Sequence, residues 1–390
     1  MKANWLARLF PQGSASKLLD ETKNAAERGD ANAQYALGCR YAKGDGVPQD
    51  YVEAVKWCRK AAEQNLTLAQ FNLGFSYETG NGVAKDDVEA VKWYRKAAGQ
   101  NLANAQFSLG YCYNYGVGVV KDEVEAAKWY RKAAEQSHSL AQFNLGFCYA
   151  NGVGISKDEV EAVKWYRKAA KQNEAGAQCS LGVFYASGIG VSQDDTEAVK
   201  WYRRAADQGF AEAQYNVGWM YEYGRGVPQD EAEAMKWYHK AAEGGYAKAQ
   251  YHLGWLYAYG HDVPDYAEVA KWYRKAADQG IADAQFYLGV MCVNGRGVSQ
   301  DNAEAMKWFR KAAEQGNSLA QNRLGAMYMN GLGVTQNYVE AYKWFNLAAA
   351  QGYKDAVRNQ GILVSSMTQD QIVEAEQLAA EMVPQKKNPI

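Results

Sequence analysis

Few side chains in this sequence have the type and spacing that catalysis or metal binding requires. The chain has four histidines: His138, His239, His252 and His261. None stands in the HExxH spacing of a zinc hydrolase, and none has a CxxC pair near it. The GxSxG motif of a serine hydrolase is also missing. We therefore expect no metal site, no cofactor and no catalytic residue.

Glycine pairs and carboxylate pairs recur along the chain and could suggest a phosphate site or an acid–base site. The pair Gly116 and Gly118 lacks the GxGxxG and GK[ST] patterns of nucleotide loops, and it follows a helical pattern instead of a strand. Pairs such as Asp50 and Glu53 have the spacing of a capping box at the start of a helix. Both patterns are therefore interpreted as structural.

These motifs recur because the chain consists of nine copies of one 36-residue unit. One tryptophan marks each copy: Trp57, Trp93, Trp129, Trp165, Trp201, Trp237, Trp272, Trp308 and Trp344. The interval is 36 residues each time except for 35 between Trp237 and Trp272, where Pro264 runs directly into Asp265. Because such units stack on their neighbours, we expect one elongated body instead of two or three separate domains.

Each unit predicts two helices. The first opens with A-x-A-Q-x-x-L-G-x-x-Y, which puts Ala33, Leu37 and Tyr41 on one stripe. A glycine in that helix costs stability, so we expect close helix contact at the L-G position. A G-x-G pair then ends the helix in left-handed backbone. The second helix is expected to begin at the capping box, in which Asp50 accepts backbone N–H groups and Glu53 reaches back.

The cysteines are predicted to be small buried side chains. They are Cys39, Cys58, Cys112, Cys148, Cys179 and Cys292. Each occupies a position where most other copies carry an apolar or aromatic residue, which argues against ligand roles. Cys58, for example, shares the buried stripe of its helix with Ala54, Trp57 and Ala61. Reduced thiols are favoured, and a disulfide between Cys39 and Cys58 is the alternative.

The predicted domain organisation has three parts. Residues 1–30 form an N-terminal stub and a capping helix, in which Glu21 stands where the marker tryptophan belongs. Residues 31–352 hold the nine repeats. Residues 353–390 form C-terminal capping helices and a tail, and Thr368 with Gln371 predicts a capping box that opens the last helix.

Charge and hydropathy exclude several classes of protein. Forty-three basic and 44 acidic residues give a net charge of −1, which argues against a general nucleic-acid binder. The first residues contain no apolar run typical of a secretory signal. We expect Trp5, Leu6, Leu9 and Phe10 to pack on the first helices, and a short amphipathic anchor is the alternative. No stretch approaches the ~18 apolar residues of a membrane span. We expect a cytoplasmic protein, with export by another route left open.

The unit as a whole resembles the Sel1-like repeat, a relative of the 34-residue tetratricopeptide repeat. The resemblance rests on L-G-x-x-Y, the G-x-G-V-x-Q-D loop and E-A-x-K-W-Y-R-K-A-A-x-Q-G, and it covers about Ala31 to Gly352. Cys292, Val217 and Asp262 depart from the pattern. The resemblance implies an all-α, right-handed solenoid superhelix of nine helix-turn-helix repeats with terminal capping helices. It also implies that the first helices line a concave face and that the protein is an adaptor or scaffold for protein complexes.

The candidate binding residues occupy first-helix positions that stacking leaves free. These are two residues before and one residue after the L-G glycine, and the last residue before the loop; Asn72, Phe75 and Thr79 show that they share one helix face. Along the chain they supply aromatic and amide side chains: Asn72, Phe75, Tyr111, Tyr115, Asn144, Phe147, Asn216, Trp219, Tyr223, His252, Trp255 and Tyr259. Rings that hold apolar side chains, beside amides that pair with peptide backbone, suit an extended peptide.

The sequence therefore predicts a non-catalytic adaptor that binds a protein or peptide of unknown identity on the concave face, most strongly around Trp219 to Tyr259. One alternative is that the rings pack only against the neighbouring copy. Another is a polyanion or cell-wall glycan bound by a ridge that includes Lys56, Lys92, Arg59 and Arg95, although such cations also complement the helix dipole. A hydrolase is the least favoured alternative.

Overall fold

We describe a computed structural model of the protein over residues 12–260 and 264–382. Every regular element in these two ranges is an α-helix. The helices are α1 (Gln12–Glu27), α2 (Ala31–Lys43), α3 (Tyr51–Glu63), α4 (Thr67–Thr79), α5 (Asp87–Gly99), α6 (Ala103–Tyr115), α7 (Glu123–Glu135), α8 (Ser139–Asn151), α9 (Glu159–Lys171), α10 (Ala175–Ser187), α11 (Asp195–Asp207), α12 (Ala211–Glu222), α13 (Glu231–Glu243), α14 (Ala247–Tyr259), α15 (Tyr266–Asp278), α16 (Ala282–Asn294), α17 (Asn302–Glu314), α18 (Ser318–Asn330), α19 (Tyr338–Ala350), α20 (Lys354–Val364) and α21 (Gln369–Met382).

The described helices form two compact units, which are divided between Arg204 and Ala205. In the first unit, consecutive helices from α1 to α10 pack on one another in chain order. In the second unit, consecutive helices from α12 to α20 do the same, and α21 packs on α19. Within each unit a helix thus contacts mainly its neighbours in sequence, which is the organisation that a stacked repeat predicts.

The first helices mostly end in left-handed glycines, as predicted. Gly80 ends α4 with φ 74°, and its N–H donates to the Ser76 carbonyl at 2.9 Å. The second glycine of the loop serves close packing, because a Cβ on Gly82 would lie 2.0 Å from the Tyr51 carbonyl oxygen of the preceding repeat. Gly260 is an exception with φ −87°, in the copy with the shortened loop. Asp262, which replaces a loop glycine in that copy, lies outside the described residues.

The second helices begin at the predicted aspartates, but the glutamates of the predicted capping boxes have another partner. Asp50 Oδ1 accepts the N–H groups of Val52 and Glu53 at 2.9 and 3.0 Å. The Asp50 N–H donates to the Tyr41 carbonyl of the first helix at 3.0 Å. Glu53 instead accepts a hydrogen bond from Lys56 at 2.9 Å. The predicted return contact of the glutamate is wrong because the first helix already satisfies that N–H group.

In eight of the nine repeats the glycine of the L-G pair makes room for an aromatic ring, and in the first repeat Gly38 lies against the sulfur of Cys58, which confirms the predicted close approach. A Cβ on Gly74 would lie 2.8 Å from ring atoms of Tyr94 and 3.1 Å from the Ala90 carbonyl oxygen, both in the second helix of the same repeat. Tyr94 is buried, as are Leu73 and the alanines that surround it. The core of these eight repeats is therefore a tyrosine or phenylalanine ring set between small residues, which buries apolar area at high packing density.

A buried glutamine in the first helices joins successive repeats, a role that the sequence pattern did not indicate. Gln70 Nε2 donates to the Ala62 carbonyl at 3.2 Å, and Gln70 Oε1 accepts from Gln100 Nε2 at 2.7 Å. The same two bonds recur in other copies, at Gln34, Gln106, Gln142, Gln250, Gln285 and Gln321. They satisfy an amide whose burial would otherwise be unfavourable.

Additional helices flank the repeats on both sides. Leu19 and Ala26 of α1 pack with Leu37, and Glu21 is exposed, as predicted for an outer face. In the C-terminal part, the Thr368 N–H donates to Gln371 Oε1 at 3.0 Å and the Gln371 N–H donates to Thr368 Oγ1 at 3.3 Å. This reciprocal capping box opens α21 as predicted. The stub of residues 1–11, with its Trp and Phe cluster, and the tail of residues 383–390 lie outside the described residues.

Candidate functional site

The predicted binding residues lie on one face of the first helices, which we call the first-helix face. It comprises the sixth, ninth and thirteenth residues of each repeat, such as His252, Trp255 and Tyr259 in α14. Spacings of three and four residues place these positions on one side of a helix. Seven of the predicted aromatic residues are between 41% and 63% exposed: Phe75, Tyr111, Tyr115, Phe147, Tyr223, Trp255 and Tyr259.

In the first unit, the aromatic side chains of this face remain accessible to solvent. Phe75 and Phe147 are 50% and 48% exposed. Tyr111 and Tyr115 lie one helical turn apart in α6, and their ring centroids are 4.5 Å apart. Large apolar rings with half of their surface in water retain area that a partner could bury.

The amides of the same face already make hydrogen bonds within the chain. Asn72 Nδ2 donates to the hydroxyl of Tyr35, in the preceding repeat, at 3.3 Å. Asn144 Nδ2 donates to the Leu140 carbonyl at 2.8 Å. Their amide nitrogens therefore already have acceptors within the chain. This leaves mainly the amide oxygens for the predicted pairing with a peptide backbone.

In the second unit, the face carries two pairs of rings on successive first helices. The centroids of Trp219 and Tyr223 are 5.0 Å apart, and those of Trp255 and Tyr259 are 5.7 Å apart. The Arg225 guanidinium carbon lies 5.1 Å from the Trp219 centroid. Each ring packs on its neighbour at a spacing typical of tilted aromatic pairs, which restricts the conformations of both side chains.

Glu222 lies beside these rings and was not predicted. Its carboxylate accepts a hydrogen bond from the Tyr238 hydroxyl, and Oε2 lies 3.2 Å from His252 Nε2. Burial lowers the pKa of His252, while the Glu222 charge opposes that shift. Burial and the bond to Glu222 raise the pKa of Tyr238. A pocket of about 220 Å³ adjoins this group and is lined also by Glu231 and Leu256.

Two kinds of residue on or beside this face were missed by the sequence reasoning. Leu68, Leu140 and Leu319 are 47%, 41% and 38% exposed at the second position of their repeats, four residues before the sixth. The helical spacing could have revealed them. Glu222 could have been found by comparing the copies, because the twelfth position is acidic in two repeats alone, at Glu78 and Glu222.

The row of cations on the second helices is engaged in contacts within the protein. Lys128 pairs with Glu125 three residues earlier, and its equivalents in the other copies form the same ion pair. Arg131 donates to the Tyr149 hydroxyl of the next repeat at 2.7 Å. Lys132 Nζ lies 3.9 Å from the Trp129 centroid. These contacts account for the recurrence of the cations without a polyanion.

The cysteines have the surroundings of structural side chains. None of the six forms a disulfide, and burial raises the pKa of Cys58 and Cys112 to about 12 and that of Cys148 to about 11. Thiols of this kind stay protonated at neutral pH and are poor nucleophiles and ligands. Within residues 12–260 and 264–382, no three His, Cys, Asp or Glu side chains converge as a metal site would require. In the same part of the chain, no helix has the length and apolarity needed to cross a bilayer.

The helices and their repeated packing define an all-α solenoid repeat protein. The model of the Sel1 repeat matches nine consecutive segments: residues 31–66, 67–102, 103–138, 139–174, 175–210, 211–246, 247–281, 282–317 and 318–353. The chain therefore belongs to the Sel1 repeat family. The predicted family and fold class are confirmed. Sel1 repeat proteins generally mediate protein–protein interactions, and solenoids of this type are typically non-catalytic.

Two solved structures show the same relationship. A protective antigen of uropathogenic Escherichia coli that displays an SLR fold is 37% identical over 94% of this chain and 86% of its own, with a TM-score of 0.59. A Sel1 repeat protein from Oxalobacter formigenes is 36% identical over 80% of this chain and 90% of its own, with a TM-score of 0.64. A comparison with curated proteins finds no match.

Proposed function

We propose that this protein is a non-catalytic adaptor that binds a protein or an extended peptide along its first-helix face. The observation that carries the proposal is the row of exposed rings at recurring positions of that face, which in the second unit are Tyr223, Trp255 and Tyr259. Aromatic anchors that a partner buries are each worth ~2 kcal/mol or more in an interface. The membership of the chain in a family of interaction proteins supports the same conclusion.

The proposal is tested by immobilising the full chain and measuring how much of a partner it captures from solution. The double variant Tyr223→Ala and Trp255→Ala removes two rings that are 56% and 41% exposed. We expect partner capture to fall at least about 30-fold, as the loss of one anchor implies. Because both side chains are largely outside the core, the helical circular dichroism should stay near that of the wild type.

The second helices provide a matched control. Val124 and Val160 are 51% and 55% exposed there, so their double replacement with Ala also removes exposed apolar area. This variant should capture the partner as the wild type does. If both double variants captured it equally well, the first-helix face would not be the binding surface.

Polyanion binding is the second candidate, and the ion pairs of the second helices disfavour it. An exposed lysine that already pairs with a glutamate releases fewer counterions when it meets an anion. We therefore expect weak retention on heparin at physiological salt. Strong retention that falls steeply with salt would favour the polyanion instead.

A further inference from the structure

Tyr273 in α15 carries a buried hydroxyl without a hydrogen-bond partner among the described residues. The side chain is 2% exposed, and its ring packs on Gly254 as the ring of Tyr238 packs on Gly218. A buried hydroxyl that makes no hydrogen bond is unfavourable, and native structures rarely keep one without a reason. This hydroxyl is therefore a candidate for an external partner.

Two other repeats show what the equivalent hydroxyl binds. Tyr94 donates to the carboxylate of Glu78, and Tyr238 donates to the carboxylate of Glu222. Both glutamates are the twelfth residue of their repeat, and the repeat of Tyr273 has Ala258 at that position. In two repeats the tyrosine hydroxyl thus donates to a carboxylate of the chain itself. In the repeat of Tyr273 the equivalent residue, Ala258, has only a methyl group and cannot accept the bond.

The next repeat does not supply a substitute acceptor. Ser180, at the sixth position of its repeat, lies beside Tyr166 of the preceding repeat and lowers the pKa of that tyrosine. The residue that corresponds to Ser180 beside Tyr273 is Tyr287, whose ring stacks on Tyr273 with centroids 5.4 Å apart and an interplanar angle of 17°. Stacking covers the face of the Tyr273 ring and provides no acceptor for its hydroxyl.

A pocket of about 90 Å³ lies beside the Tyr273 side chain. It is lined by Tyr273, by Ala258, by Tyr259 of the first-helix face and by Arg296. A water molecule needs roughly 10–15 Å³ of such space, so the pocket has room for a small group such as a carboxylate. The described lining residues include a guanidinium group and no acidic side chain, so the pocket favours an anion.

We propose that this pocket binds a carboxylate of the partner peptide, with Tyr273 donating a hydrogen bond to it and Arg296 balancing its charge. The inference rests on the proposed peptide-binding function and adds a requirement to it. The peptide must carry a glutamate or aspartate side chain, or its own C-terminal carboxylate, where it passes Tyr259. Burial raises the pKa of Tyr273, which keeps its hydroxyl protonated and able to donate at neutral pH.

The test compares three pools of short fluorescent peptides that are randomised at all positions except those stated. One pool has a central glutamate and an amidated C-terminus, and the second replaces that glutamate with glutamine. The third has the central glutamine and a free C-terminal carboxylate. Fluorescence anisotropy with the full chain gives the affinity for each pool, and the comparison separates a side-chain carboxylate from a terminal one.

We expect the wild type to bind one of the two carboxylate pools about tenfold more tightly than the glutamine amide pool, the preference that a charge-assisted hydrogen bond supplies. Tyr273→Phe should abolish this preference while it keeps the affinity for the glutamine amide pool. Ala258→Glu should abolish it too, because the new carboxylate would take the Tyr273 hydroxyl as Glu222 takes that of Tyr238.

Tyr94→Phe is the matched control, since its hydroxyl is already bonded to Glu78. That variant should keep the full carboxylate preference. Binding to all pools without a preference, or a preference that survives both Tyr273→Phe and Ala258→Glu, would overturn the inference and leave the adaptor function standing. If no pool bound the wild type, the peptide-binding function and this inference would fall together.

Discussion

Gln214 Oε1 is buried without a hydrogen-bond partner, and Gly244 occupies the position from which other repeats supply a glutamine to this oxygen. In the repeat of Gln70, the equivalent donor is Gln100, 30 residues later, at 2.7 Å. Gly244 has φ −69° and ψ 1°, which any residue can adopt, and a Cβ there would lie 3.2 Å from the Ala211 Cβ, a contact that a shift of a few tenths of an ångström relieves. The hydrogen bond that joins two glutamines in other repeats is therefore absent here, because Gly244 has no side chain to donate it.

Gly244→Gln should stabilise the protein. The new amide would donate to Gln214 Oε1 and remove a buried unsatisfied acceptor, so we expect a gain of about 1–2 kcal/mol in the free energy of unfolding. Urea titration followed by circular dichroism measures it. Gly244→Ala is the control, because it supplies the Cβ without the donor; an equal gain in both variants would contradict the role of the hydrogen bond.

Two glycine-to-alanine changes in the first unit should have opposite signs. A Cβ on Gly74 would meet the Tyr94 ring at 2.8 Å, whereas a Cβ on Gly99 would meet nothing within 4 Å. Gly74→Ala should cost about 1–3 kcal/mol through overpacking. Gly99→Ala should gain about 0.5–1 kcal/mol because alanine favours the helix. Thermal unfolding of the two variants tests the pair, and a loss of stability at both sites would contradict the packing argument.

Ser137 is held in the left-handed region, with φ 66°. The equivalent residue Gly316 has φ 86°, and a Cβ there would meet nothing within 4 Å, so the strain at Ser137 lies in the backbone alone. Ser137→Gly should raise the free energy of unfolding by about 1 kcal/mol. The reverse change, Gly316→Ser, should lower it by a similar amount. Differential scanning calorimetry of both variants provides the measurement, and shifts of the same sign would refute the explanation.

The local features of the fold could be predicted from the sequence because they depend on residues close together in the chain. The helix end at Gly80, the aspartate cap at Asp50 and the capping box of Thr368 are all set within a few residues. Repetition of the same signals in nine copies removed the usual uncertainty about helix ends. The prediction failed for Glu53 because its expected N–H partner is taken by Tyr41, which approaches from the other helix.

The contacts between residues 30 or more positions apart could not be predicted from the sequence. Gln70 pairs with Gln100 of the same repeat, and Asn72 pairs with Tyr35 of the preceding repeat; no sequence motif indicates either pair. The exposed rings of the candidate face were found because helical spacing places them on one side. The unsatisfied hydroxyl of Tyr273 was not predicted. It becomes apparent only when the repeat is compared with those in which a glutamate accepts the equivalent hydrogen bond.

The stability of the second unit should depend on pH through His252. Burial holds the pKa of His252 below its usual value of 6.5, although Glu222 lies 3.2 Å away. The unfolded chain therefore takes up a proton before the folded protein does, and the stability that this group contributes is full above about pH 6.5 and is lost as the pH falls through the folded pKa. Urea midpoints measured between pH 7.5 and pH 5 should decline accordingly.

His252→Asn separates this contribution from the rest of the acid response. Asparagine is the residue at the same repeat position in Asn72, Asn144 and Asn216, so the repeat accommodates it. The variant should show a shallower decline in stability over the acidic range than the wild type. Burial also lowers the pKa of His138, in the first unit, so His138→Asn should reduce the decline independently and the two effects should add. Identical pH dependence in the wild type and His252→Asn would mean that the histidine is protonated equally easily in the folded and unfolded states.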